Sequence, residues 1–130
     1  MKKASAVSRT VLRLPYDATS ARCARRFVEQ FVSERALDGA AGDLCLIVNE
    51  LVTNAIRHGA QPIELTLHCQ DGEVTIEVAD GDPRIDHVRL RAESETEPGG
   101  RGLRVVASLA DRWGTRPSLS GKTVWATTQT

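Results

Sequence analysis

The run 49-NELVTNAIRHG-59 decides how this chain is read. With Leu44, Ile47 and Val48 upstream, Leu51 and Ala55 share one face of a helix expected from about Ala40 to His58. The same run holds Glu50, Asn54 and His58 at intervals of four. At 3.6 residues per turn these three form a near-straight polar line at the rim of the apolar face, bordered by Arg57. Gly59 follows at once, where a helix commonly closes in a left-handed residue. A solvated face, with Arg57 and His58 near the negative end of the helix dipole, would explain the line by itself. The rest of the chain shifts the weight away from that explanation.

Working outward, 18-ATSARCARRFVEQFVSERAL-37 reads as an amphipathic helix with Ala24, Phe27, Val28, Phe31 and Val32 on one face. Before it, 8-SRTVLRL-14 alternates like a strand and is ended by Pro15. After Gly59, 62-PIELTLHCQ-70 and 73-EVTIEVAD-80 alternate with period two, and Asp71-Gly72 between them is a strong hairpin signal. Residues 81–99 lack apolar rhythm and read as a long loop. A helix opens after Gly99-Gly100, with Leu103, Val106, Ala107 and Ala110 on one side, and strands near 112–117 and 122–128 close the chain. Residues 1–6 read as a loose tail and 7–130 as one domain. This order predicts an α/β two-layer sandwich, helices on one face of a mixed, mostly antiparallel sheet.

Composition excludes several classes. At 130 residues the chain can bury a real core, and Lys plus Arg equals Asp plus Glu, 17 against 17. No net field recommends nucleic acid or an anionic membrane as partner. No apolar run is long enough to span a bilayer, and no continuous apolar segment follows the N-terminal lysines, so a cytoplasmic protein is expected. Cys23, Cys45 and Cys69 have no metal-ligand or disulfide spacing and read as buried free thiols. Ser120-Gly121-Lys122-Thr123 imitates the end of a P-loop, but no helix follows, and Lys122 reads as an exposed turn residue. His68 reads as a surface histidine, His87 has no evident partner, and Trp113 and Trp125 read as core or sheet-packing residues.

The chemistry gathers in three places. Asn54 and Glu50 offer an amide oxygen and a carboxylate that can hold Mg²⁺ and order a nucleophile. Asp80 ends a strand and can accept from an exocyclic amine. The glycine-rich 99-GGRGL-103 at a helix start presents backbone N–H groups that favour phosphate.

On these residues the sequence resembles the GHKL (Bergerat-fold) ATPase superfamily, and within it the small anti-sigma-factor serine/threonine kinases and related ATP-binding regulators. Glu50, Asn54, His58 and Gly59 match the family's N box. Its G1 box is similar to 78-VADGDPR-84, its G2 box to 100-GRGL-103, and its closing strand to 121-GKTVW-125. Four boxes in order, spread over nearly the whole chain, make a specific signal.

The resemblance implies ATP and Mg²⁺ as cofactors. It makes Asn54 the Mg²⁺ ligand and Glu50 the general base toward an attacking hydroxyl. It makes Asp80 the acceptor from the adenine amino group, supported by Thr123 through water. Gly81 and His58 belong to the implied ATP-binding set, as do Gly100, Arg101, Gly102 and Leu103 around the phosphates. The loop at about 84–99 would be the ATP lid. The implied partners are a sigma factor and an anti-anti-sigma (STAS-type) protein, with a homodimer through the first strand and helix.

One departure keeps a second reading open. Where the family has D-x-G-x-G, this chain has Asp80-Gly81-Asp82-Pro83-Arg84, with fewer glycines and an added negative charge. A regulatory binding protein that sequesters its partner without kinase activity is therefore the alternative. The catalytic module of a histidine kinase ranks third, because no upstream dimerisation helix with a phosphoacceptor histidine is expected.

Overall fold

The hairpin at Asp71-Gly72 sets the register of the sheet. Both residues have positive φ, 53° and 78°. That two-residue turn matches the twist of the strands it joins, and Gln70 pairs with Glu73 across it. A computed structural model describes residues 8–85 and 100–130, apart from the side chain of Arg101. Its elements are β1 (Ser8–Leu14), α1 (Ser20–Glu34), a 3₁₀ turn (Asp38–Ala40), α2 (Ala41–His58), β2 (Ile63–Gln70), β3 (Glu73–Asp80), α3 (Gly100–Leu109), β4 (Arg112–Ser118) and β5 (Gly121–Gln129). The tail at 1–6 and the lid expected at 84–99 lie outside the described residues, except for Arg84 and Ile85 in the latter.

The five strands lie in the order β1-β2-β3-β5-β4. Every neighbouring pair is antiparallel, so the parallel pairing that a mixed sheet allows is absent among the described residues. Alternation sends Ile63, Leu65, Leu67, Ile76 and Val78 to the helix side, where they meet Val28, Leu44, Ile47, Val48 and Leu51 in one core. Each such large apolar side chain contributes about 1.5–3 kcal/mol when fully buried. On the opposite face Trp125 pairs with Gly114, and its ring lies where a Cβ at 114 would stand. Trp113 packs against the edge of the core, and His68 lies 3.7 Å from the Glu77 carboxylate, partly exposed. His87 lies outside the described residues.

Three helix ends differ from expectation. α1 starts at Ser20 because Asp17 Oδ1 accepts from the Thr19 N–H and hydroxyl, closing a local turn first. It stops at Glu34 because Ala36, at φ 56°, reverses the chain. Leu37 N donates to Val32 O and Ala36 N to Ser33 O, a Schellman closure with alanine where glycine is usual. At the end of α2, Gly59 is extended (φ −100°, ψ −156°) and not left-handed. It is glycine for want of space: a Cβ there would lie 2.5 Å from Asp80 Cγ and 2.6 Å from Ala55 O.

The three cysteines are free and partly buried. No described helix is long and apolar enough to cross a membrane.

Candidate functional site

α2 is the spine of the site, because its middle and its C-terminal end meet different chemical groups. Toward its middle, Glu50 lies against the first turn of α3. A side chain at Gly102 would overlap Glu50 Oε2, so the glycine is what lets the carboxylate and the glycine-rich helix start come together. One turn on, Asn54 is buried, and its Oδ1 has no hydrogen-bond partner among the described residues. At the far end Gly59 backs onto the Asp80 carboxylate. Nine residues of helixward rise separate Glu50 from Gly59, about 13 Å. His58, the last residue of α2, stands between Asn54 and that contact.

A buried carbonyl-type oxygen without a donor is uncommon and costs about 1–3 kcal/mol. Asn54 Oδ1 is therefore chemically suited to a cation that takes oxygen ligands. Among the described residues no cluster of three or more His, Cys, Asp or Glu competes for that role.

The Asp80 end is built differently from the sequence expectation. Asp80 is almost wholly buried at the end of β3, and its Oδ1 accepts from Asp82 N at 2.8 Å and from Lys122 Nζ at 3.0 Å. Lys122 Nζ also donates to Asp82 O at 3.1 Å. Lys122 is thus buried beside the aspartate and not an exposed turn residue. The cause is register: Asp80 pairs with Lys122 across β3 and β5, which puts both side chains on the helix face. Thr123 pairs with Ala79, so alternation turns it to the opposite face of the sheet. The expected support of Asp80 by Thr123 is corrected accordingly; Lys122 holds that place.

The extra charge at Asp82 is neutralised locally. Arg84 donates to both its oxygens, Nε at 3.0 and 3.1 Å and Nη2 at 2.6 Å, and adds its backbone N–H at 3.0 Å. Those bonds hold the Asp82 carboxyl well below the usual carboxylate range and raise the Arg84 guanidinium. Gly81 makes a tight crossing: its N–H donates to Ala60 O at 2.7 Å, and a Cβ would overlap Gln61 O, next to the cis Gln61-Pro62 bond. Gly121 does the same on the other side, where a Cβ would overlap Asp80 O.

Gly100 begins α3 and Gly102 faces Glu50, while the Arg101 side chain lies outside the described residues. Leu103 is in the hydrophobic core, 1% exposed. Its side chain anchors the first turn of α3 in that core. Lys122, Arg84 and Gly121 were missed by sequence reasoning. The signal for Lys122 was its position opposite Asp80, which becomes readable only once β3 and β5 are paired.

A family model described as a histidine kinase-like ATPase domain matches residues 14–128. Among solved structures, the chain is similar to the crystal structure of the RsbU and RsbW domains of Rv1364c from Mycobacterium tuberculosis, with a TM-score of 0.69 and 19% sequence identity. That likeness covers 94% of this chain and 32% of the other, so this chain spans about a third of its length. At such identity the likeness is one of fold. A comparison with curated proteins finds no match.

Proposed function

This chain belongs to the histidine kinase-like ATPase domain family, and on that premise we propose that it binds Mg-ATP and transfers a phosphoryl group to a serine or threonine hydroxyl of a protein partner. The observation that carries the reading is Asn54, whose buried Oδ1 has no hydrogen-bond partner among the described residues and stands one turn from Glu50. Asn54 would hold Mg²⁺, which neutralises phosphate charge when bound. Asp80, with Oδ1 engaged by Lys122, presents Oδ2 to the adenine amino group. The N–H groups of the α3 start, at Gly100, Arg101 and Gly102, face the phosphates. Glu50 accepts the proton of the attacking hydroxyl, while the bond from that oxygen to the γ-phosphorus forms and ADP leaves. His58, next to the Asp80 contact, borders the same cleft.

In this reading the protein is a cytoplasmic regulator of the anti-sigma-factor type. Its partners are a sigma factor and a STAS-type anti-anti-sigma protein, and the fold likeness to a structure containing an RsbW domain supports that choice. One observation favours the alternative of sequestration without kinase activity: Asp80 Oδ1 is already saturated by Lys122 and Asp82, which lowers the aspartate's capacity for base recognition.

A thermal-shift titration separates the two. Mg-ATP at 100 times its Kd should stabilise the protein by about 2.7 kcal/mol, and Mg-GTP by much less. Glu50→Ala should keep that shift and lose phosphoryl transfer by about 10²–10⁴-fold, the usual worth of a general base. Absence of any ATP shift returns the protein to the sequestration reading, and unchanged transfer in Glu50→Ala removes the base assignment.

A further inference from the structure

A lysine ammonium carries three N–H donors, and the described residues take two of those on Lys122. One goes to Asp80 Oδ1 at 3.0 Å and one to Asp82 O at 3.1 Å. The side chain is only 3% exposed, so bulk water does not supply the third acceptor. The Asp80 carboxylate is half used in the same way. Its Oδ1 accepts from Lys122 Nζ and Asp82 N, while Oδ2 has no hydrogen bond among the described residues and lies toward Gly59. Packing sets the two groups side by side. Gly121 crosses Asp80 so closely that a Cβ there would overlap Asp80 O, and the next residue, Lys122, is in register with the aspartate. Arg84 neutralises Asp82, so Asp80 and Lys122 stand as one anion and one cation with no net charge between them.

We propose that Lys122 is a specificity-determining residue of the nucleotide site: its third N–H donates to adenine N1, while Asp80 Oδ2 accepts from the amino group beside that nitrogen. This assignment rests on the nucleotide reading above and deepens it. Adenine presents a donor next to an acceptor on that edge, the complement of a free carboxylate oxygen next to an ammonium. Guanine carries a carbonyl oxygen and an N–H at the same two positions. In the same seat it would set oxygen against carboxylate and N–H against ammonium. Sites built on buried donors and acceptors discriminate sharply, because the wrong ligand leaves them unpaired. The residue type matters as well. A hydroxyl or a water can turn to donate or to accept, whereas an ammonium only donates. Lys122 thus removes the ambiguity that support of Asp80 by Thr123 through water would leave.

The test is a calorimetric binding titration of the full chain in Mg²⁺ with ATP, GTP and 1-deaza-ATP, in which a C–H replaces the ring N1. The deaza analogue should bind about tenfold or more weakly than ATP, in line with loss of one charge-assisted bond. In Lys122→Met that ratio should fall to near unity, whereas a merely structural lysine would weaken both nucleotides alike and leave the ratio unchanged. If Lys122→Met does not fold, the ¹⁵Nζ resonance of Lys122 in the unaltered protein carries the same comparison: ATP should shift it and 1-deaza-ATP should shift it far less. Equal affinities for ATP and 1-deaza-ATP, equal shifts of that resonance, GTP bound as tightly as ATP, or a ratio retained in Lys122→Met each overturn the proposal and leave nucleotide binding standing. Absence of saturable ATP binding removes the nucleotide reading and this assignment together.

Discussion

Lys122 Nζ stands 3.0 Å from Asp80 Oδ1, with the two side chains only 3% and 1% exposed. A pair so deeply buried stabilises little relative to an apolar pair, but removing one member strands the other's charge. Lys122→Met should therefore cost about 3–5 kcal/mol in urea unfolding. The double variant Lys122→Met, Asp80→Asn should recover a large part of that loss, because no lone charge remains. A cost below about 1 kcal/mol for the single variant would show that the pair is not closed in solution.

Asn54 makes a prediction of opposite sign for stability and ligand response. An orphaned buried oxygen is a standing cost, so Asn54→Leu, similar in volume and apolar, should leave the nucleotide-free melting temperature unchanged or raised. The same variant should lose the Mg²⁺-dependent part of the stabilisation by ATP. If Mg²⁺ still enhances the ATP shift fully in Asn54→Leu, another group holds the metal.

Ala36 closes α1 at φ 56°, a conformation that costs an L-residue roughly 1–2 kcal/mol and glycine almost nothing. Ala36→Gly should stabilise the protein by about 1 kcal/mol after the greater freedom of glycine in the unfolded chain is subtracted. Equilibrium denaturation measures this directly; a destabilised variant would mean that Arg35 to Leu37 does not reverse the chain as described.

The Asp82–Arg84 contact predicts a pH dependence. Its native carboxyl is depressed below the unfolded value, so the stability it contributes is present above the unfolded pKa of about 3.9 and is lost as pH falls through the lower native value. Arg84→Ala should flatten that part of the curve, with little effect on the slope above pH ~5. The Arg84 side chain is 62% exposed, so screening keeps the effect modest. Urea midpoints measured between pH 2 and 6, identical in both proteins, would contradict it.

The period of apolar residues made the strands and helices legible from the chain alone. β1 and β3 fall where alternation puts them, and the Asp71-Gly72 turn follows from the two residue types that best tolerate positive φ. Glu50 and Asn54 were legible for the same reason, since helical spacing is a local property. Register was not local. Which residue faces Asp80 depends on how β5 is paired, and that pairing exchanges Thr123 for Lys122 at the aspartate. The purpose of Gly59, Gly102 and Gly121 was likewise hidden, because the atoms that leave no room for a side chain there belong to segments distant in sequence. Periodicity along the backbone thus determined the elements and the polar line on α2. Only close packing between those elements decided which groups share a cleft, since burial and contact arise from all the layers at once.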